Sequence, residues 1–418
     1  MTAAASVSAP SVVHEALADV SAEHGFKQPK YHIAEGSKAG DGYSSILYRV
    51  TIEDEDKTGA AEKLVVMCKT TLSDVVGRTI VQYFKSEATM YSRILPALKN
   101  IATFKEPLPW PRCFYTTEST SARPCLIFED LGLEGFVTAN RRAIPDVQQL
   151  VLALSQLAKF HGAGMALQHL KPAEFKEMTK DLGLVMAQDD PAEMKKFQQF
   201  FSMIQGSLEI IEDRFPAGSD VNNKVKAVYA GLQTFFMSLV AVPEPGPGIG
   251  LAHGDCHPNN MMFQYDKMSG AVKACRLIDF QLSRLGHTAM DVATLLLPST
   301  DKALRDEHWD DLLQGYHREL QETLRASGIG DPDSIYTFEQ FTGFLRESAK
   351  YALCLAPIAL HAMYADEQEA TELRDALNEF HKTGSEQAGG VPFTIASSEA
   401  VKQRFCDIIQ SLVDWGWL

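Results

Sequence analysis

Leu251-Ala-His-Gly-Asp-Cys-His-Pro-Asn-Asn260, followed downstream by Arg276-Leu-Ile-Asp-Phe-Gln281, is the stretch on which the fold turns. Asp255 and Asn260 are separated by four residues, and a short apolar strand then delivers Asp279. At that spacing the Asp255 carboxylate reaches one reacting group while the Asn260 amide, one loop-turn later, reaches another. Asn260 and Asp279 offer amide and carboxylate oxygens, the hard donors that suit a hard divalent cation beside phosphate oxygens. His-Gly-Asp arises by chance, and an Asp after an apolar strand is most often a turn or cap residue. The weight therefore lies in order and spacing, and in whether the N-terminal half carries matching parts.

From Tyr31 to Lys69 the sequence reads as strands and turns. Ser45 to Ile52 alternates, with Ile46, Tyr48, Val50 and Ile52 on one face. An acidic turn, Asp54 to Gly59, precedes a second strand, Leu64 to Lys69, so the pair reads as an antiparallel hairpin with Lys69 at its end. A helix pattern follows in Val81, Phe84, Ala88, Tyr91 and Leu95, with Pro96 near its end and Glu87 positioned to pair with Lys69. The stretch Gly40-Asp-Gly-Tyr-Ser-Ser45 offers Gly40, Gly42, Ser44 and Ser45 as backbone and hydroxyl donors to phosphates. It is neither a complete G-x-G-x-x-G nor a Walker A motif, and an ordinary hairpin turn explains any one of its residues equally well. Cys125 to Phe128 reads as another strand, running into Glu129-Asp130 and the turn at Leu131-Gly132, where a lobe boundary is expected.

Lysine, glutamate, boundary, Asp…Asn and Asp, in that order, resemble phosphotransferases of the protein-kinase type, with their H-x-D-x-x-x-x-N catalytic loop. In that reading Lys69 holds the nucleotide phosphates and Glu87 orients it. Beyond Ile144 the periodicity is helical over Val147–Leu167, Ala192–Phe215, Asn222–Val240, His308–Ala326, Phe338–Tyr364 and Ala400–Trp415. The fold class expected is α+β, a bilobal protein-kinase-like arrangement. Residues 1–30 form an N-terminal extension, 31–130 a small antiparallel-sheet lobe with a helix, and 131–418 a large helical lobe.

Composition bounds the alternatives. The 418 residues are 45% hydrophobic and 22% charged, an ordinary globular mixture of more than one ~150-residue unit. Lys plus Arg number 39 against 54 Asp plus Glu, a net charge of −15 that repels nucleic acid and anionic membrane surfaces. Tyr351 to Ala365 is apolar but interrupted by Pro357 and His361, and falls short of the ~18 residues a spanning helix needs. Seven scattered cysteines without a CxxC pair fit reduced thiols, and the N-terminus lacks a basic signal, so a cytoplasmic location is expected. No obligate protein partner is evident.

The chain also resembles the ecdysteroid kinase-like family, within the choline-kinase and aminoglycoside-phosphotransferase group. The matching text is Phe84-Lys-Ser-Glu87, Met90-Tyr91, Ile94-Leu95-Pro96, Phe128-Glu-Asp-Leu131, Leu157-Ala-Lys-Phe-His161, His253 to Asn260, and Leu277-Ile-Asp-Phe-Gln-Leu-Ser-Arg284. Asp-Phe-Gln is the most family-specific piece, and Gln281 argues against a protein kinase. The resemblance implies ATP- and Mg²⁺-dependent phosphorylation of a hydroxyl on a small, often apolar molecule such as an ecdysteroid or a hydroxylated xenobiotic. It implies Asp255 as base, Asn260 and Asp279 on the metal, and adenine against backbone near Glu129 to Leu131. Choline, aminoglycoside or homoserine kinases, or an inactive kinase-fold binding protein, are the alternatives. Family members commonly carry Trp where this chain has His257.

Other residues have plainer readings. His253 supports the loop through backbone near Asp279, and Asp291 is a buried anchor for it. His257, beside which the sequence places no carboxylate partner, is read as structural; Cys256 is a buried small side chain and His161 a satisfied core histidine. Phe338, Phe341, Phe344, Tyr351 and Trp415 are core residues that could also line an acceptor cleft. Asp366, Glu367 and Glu369 could serve a cationic acceptor.

Overall fold

The computed structural model describes residues 7–36, 45–54, 63–71, 78–104, 107–117, 123–183, 198, 201, 204–240, 243–365, 368–369, 371 and 398–418. Gly40, Gly42 and Ser44, the turn after Asp54, residues 192–197, 199–200 and 202–203 of the expected helix at 192–215, and Asp366 with Glu367 lie outside them.

Helix α1 (Ser11–Glu23) is followed by β1 (Pro29–Glu35), β2 (Ser45–Asp54) and β3 (Leu64–Thr71), then α2 (Arg78–Thr89) and α3 (Leu95–Ile101), then β4 (Cys113–Thr116) and β5 (Cys125–Glu129). The five strands form one antiparallel sheet in the order β1-β2-β3-β5-β4. Alternation in β5 sorts its side chains to opposite faces. Cys125 and Ile127 join Val50, Ile52, Val66 and Cys68 under α1, whereas Leu126 and Phe128 enter the large core of the remaining chain. Helix α1, in a segment expected only as an N-terminal extension, fully buries Val13, Leu17 and Val20 on this sheet. At ~1.5–3 kcal/mol per buried aliphatic side chain, that contact makes the helix an integral layer.

The helix expected around Val81 to Leu95 is not ended by Pro96. A π-helical turn, Met90–Ile94, intervenes, and α3 runs on to Ile101 with the proline in its first turn. Pro96 has no N–H to donate to the carbonyl four residues back, and the wider turn, with Leu95 N–H bonded to Met90 O, absorbs that loss.

After a short strand β6 (Phe136–Thr138) the chain becomes mostly helical: α4 (Val147–Leu170), α5 (Pro172–Thr179) and α6 (Asp220–Val240). Asp146 and Gln149 close α4's N-terminus as a capping box. Helix α4 is long and apolar enough to cross a membrane by length and composition, yet 72% of its apolar window is buried inside the protein. Then come β7 (Ile249–Ala252), β8 (Met261–Tyr265), β9 (Val272–Leu277) and β10 (Arg284–His287), and helices α7 (Ala289–Ser299), α8 (Lys302–Ala326), α9 (Phe338–Tyr364) and α10 (Glu399–Asp414). Helix α4 lies so close to α8 that a Cβ on Gly162 would meet Thr323 at 2.9 Å and Leu320 O at 3.1 Å. The observed class is α+β, with the antiparallel sheet N-terminal and helices dominating the rest of the chain.

Candidate active site

The loop after β7 is fixed from below by one buried carboxylate. Asp291, on α7, accepts from His253 N at 2.6 Å and Gly254 N at 2.9 Å, and meets His161 Nε2 at 3.0 Å. His161 in turn meets the Tyr316 hydroxyl through Nδ1 at 2.7 Å, so α4, α7 and α8 converge under the loop. Burial works to raise the Asp291 carboxyl, but the His161 hydrogen bond and the nearby Arg284 guanidinium help hold it below the usual range. Gly254 has φ +85°, and a Cβ there would lie 2.1 Å from Leu282 O, so the loop closes on the next segment only with glycine.

His253 Nε2 meets Ile278 O at 3.0 Å, and burial pushes the ring below its ordinary pKa, keeping it neutral. The β8–β9 register, Met261 opposite Leu277, continues as Ile278 N–H donating to Asn260 O at 3.0 Å. Asn260 and Asp279 are therefore set side by side at the end of one hairpin. Asp279 has φ 66° and ψ 69°, left-handed backbone that costs a non-glycine residue about 1 kcal/mol. Such an outlier persists where side-chain contacts overdetermine it, and Asp279 has one: Lys69 Nζ donates to its Oδ1 at 2.8 Å.

Lys69 also donates to Glu87 Oε2 at 2.6 Å, so one ammonium joins β3, α2 and the segment after β9. Lys69 and Glu87 are both buried, with side chains 6% and 2% exposed. Burial works against the lysine's charge, but the Asp279 and Glu87 carboxylates outweigh it and hold the ammonium firmly protonated. Burial pushes the Glu87 carboxyl up, with Lys69 pulling against it.

Around Asp255, Asn260 Nδ2 donates to Asp255 Oδ2 and to its backbone carbonyl, both at 2.9 Å. His257 requires a correction: its Nε2 lies 3.4 Å from Asp255 Oδ1 and 3.3 Å from Asn260 Nδ2. The sequence signal was the i, i+2 spacing of Asp255 and His257, which puts two side chains on one face where the chain is extended, as it is at His257 (φ −149°, ψ 165°). Burial works upward on Asp255, but His257, His253 and the Asn260 hydrogen bond bring its carboxyl down to about 2.

The nucleotide-side expectations are placed less fully. Ser45 opens β2 opposite Thr71. Glu129 pairs with Val66, three residues along β3 from Lys69, about 10 Å at strand rise. Its carboxylate accepts from Arg112 N at 2.8 Å and Nε at 2.9 Å, and buried Leu131 starts a 3-10 turn capped by Asp130.

A cleft of about 520 Å³, open solvent at its mouth included, sits against the loop, with Asp255, His257, Arg284, Thr294 and Tyr351 among its lining. Apolar walls come from Met290 and Pro298 on α7 and Leu355 and Ala359 on α9. Of the aromatic residues expected there, Tyr351 alone lines it. Phe341 is fully buried against Tyr316, Phe344 packs on His287, Phe338 packs on His317 and Trp415 stacks on Trp309.

Among the described residues no group of three His, Cys, Asp or Glu side chains could hold a metal ion unaided. The pair at the hairpin end still fits a hard divalent cation. Lys69 engages one oxygen of Asp279, and Asn260 turns its Nδ2 to Asp255, which leaves an oxygen on each for such an ion. Magnesium beside phosphates commonly takes one or two protein oxygens and keeps waters for the rest.

The sequence model of the ecdysteroid kinase-like family matches residues 39–329. No curated protein matches the chain. Solved structures similar to it include a choline kinase from Cryptosporidium parvum Iowa II, 10% identical with a TM-score of 0.43 over 93% of this chain and 91% of that one. A microcompartment-associated aminopropanol kinase is 11% identical, with a TM-score of 0.42 over 96% and 98%. An ethanolamine kinase from Plasmodium vivax is 14% identical, with a TM-score of 0.39 over 85% and 83%.

Proposed function

The chain belongs to the ecdysteroid kinase-like family, and from that premise we propose that it moves the γ-phosphoryl group of Mg·ATP to a hydroxyl of a small, largely apolar acceptor, an ecdysteroid or a hydroxylated xenobiotic. The observation that carries the reading is the meeting of two residue sets at one hairpin end. Lys69, Glu87 and Asp279 form one, and Asp255, Asn260 and His257 the other.

Asp255 takes the proton of the acceptor hydroxyl as that oxygen bonds to the γ-phosphorus and the bond to the β-phosphate oxygen breaks, releasing ADP. Its low pKa keeps the carboxylate ionised at neutral pH, so it acts chiefly by orienting the hydroxyl and taking the proton late. Lys69, held by Glu87, neutralises the α/β-phosphates, with Ser45 and the preceding Gly40, Gly42 and Ser44 covering them. Adenine sits against backbone from Glu129 to Leu131. Asn260 and Asp279 would hold Mg²⁺, which when bound disperses the negative charge of the transferring group. His253 and Asp291 hold the loop in place.

The described lining supports an uncharged acceptor over a cationic one. Besides Asp255 its carboxylate is Asp291, whose oxygens are engaged by backbone N–H groups and His161. Asp279→Asn tests the assignment: turnover should be lost with the fold intact, and an active Asp279→Asn protein would refute the metal role.

A further inference from the structure

We propose that Arg284 is a specificity residue, donating hydrogen bonds to an oxygen on the acceptor beside the hydroxyl presented to Asp255. The proposal rests on reading the cleft as the acceptor site. Arg284 opens β10 and pairs with Ala252 of β7, which carries its side chain under the loop and into the lining beside Asp255, His257 and Tyr351.

The residue is 7% exposed. Its Nη1 donates to Gly254 O at 3.3 Å and Leu282 O at 3.2 Å. Among the described residues its Nη2 meets only the thioether of Met290, at 3.5 Å, a weak acceptor. Among the described residues Nε makes no hydrogen bond and no carboxylate pairs with the guanidinium. A guanidinium offers five N–H donors in a fixed fork, and leaving strong donors unfilled in a buried site is costly. Loop bracing uses Nη1; Nε, and Nη2 beyond its weak thioether contact, keep donor capacity for an oxygen that enters the cleft.

That chemistry selects an acceptor carrying a hydroxyl, ketone or carboxylate oxygen close to the hydroxyl that is phosphorylated. An ammonium at that position is rejected by like charge. The second oxygen and the transferred hydroxyl are then read by different groups, Arg284 and Asp255, which fixes which hydroxyl of a polyhydroxylated molecule is presented.

The test uses a vicinal steroid diol, the matched mono-alcohol and the matched amino alcohol, with affinity by calorimetry and kcat/KM for transfer from Mg·ATP. The wild-type protein should favour the diol over the mono-alcohol by about 10-fold or more, as expected for a hydrogen bond to a charged group, and the amino alcohol should bind worst. Arg284→Lys, which keeps a cation for the loop carbonyls, should bring diol and mono-alcohol close together while leaving the KM for ATP unchanged. A wild-type protein without preference overturns the proposal before any variant is made. So does an Arg284→Lys protein whose kcat falls equally for both acceptors with the preference retained, the signature of loop bracing alone. Preferential binding of the diol without any transfer would overturn the kinase reading and support Arg284 as the reader of the second oxygen.

Discussion

Replacing Asp291 by Asn keeps its shape and removes its charge, and the hydrogen-bond geometry sets the size of the loss. One carboxylate oxygen accepts from Gly254 N at 2.9 Å; the other accepts from His253 N at 2.6 Å and faces His161 Nε2 at 3.0 Å. Whichever way the new amide turns, its NH₂ opposes a buried backbone N–H. An orphaned buried donor costs ~1–3 kcal/mol, and the remaining bonds lose their charge assistance, so the total loss is about 3 kcal/mol. Urea unfolding followed by tryptophan fluorescence reads this as a lower midpoint at unchanged slope. Turnover should fall with it, because the backbone bearing Asp255 is the group released. The difference also depends on pH with a defined sign. The folded Asp291 carboxyl titrates below its unfolded value, so its contribution is complete above about 3.9 and disappears as pH falls through the folded value. Wild type and Asp291→Asn should therefore converge in acid. A loss under about 1 kcal/mol at neutral pH would refute the anchoring argument.

Lys69→Met leaves Glu87 buried without its cation and should cost about 3–5 kcal/mol, whereas adding Glu87→Met should recover much of that stability but no turnover; equal midpoints for wild type and Lys69→Met would contradict the pairing. Gly254→Ala combines left-handed strain with a Cβ 2.1 Å from Leu282 O, so a loss above about 2 kcal/mol and near-complete inactivation are expected in unfolding and turnover assays. Burial holds His253 neutral, with a folded pKa below the unfolded one. Its share of stability is thus full above about 6.5 and is lost as pH falls through the folded value, a dependence that His253→Gln should reduce in unfolding measured from neutral pH downward.

Spacing made the meeting of Asp255, Asn260 and Asp279 legible because short local backbone ties them together, through one 3-10 turn and one hairpin. The Lys69–Glu87 contact was legible for a related reason, since a strand end and the next helix have few ways to meet. What escaped depends on long-range packing. Helix α1 shows its role only against the sheet face that Cys125 and Ile127 present. Pro96 reads as a stop, because a π turn upstream that absorbs a missing N–H leaves no mark in apolar periodicity. Phe341, Phe344 and Trp415 share the periodicity of cleft and core residues alike, and tertiary partners such as Tyr316 and Trp309 decide between them. Arg284 is one residue of a motif in the sequence; its buried, partly unfilled guanidinium exists only once β10 pairs with β7.

The central claim is tested most directly by mass spectrometry of acceptor mixtures incubated with Mg·ATP and either the parent protein or Asp255→Asn. Ecdysteroids, hydroxylated plant compounds, choline, amino sugars and homoserine would be offered together. The account predicts a phosphorylated uncharged alcohol with the parent protein and none with Asp255→Asn. Phosphorylated choline or amino sugar, equal product from the two proteins, or bound ATP with no product from any acceptor would contradict it.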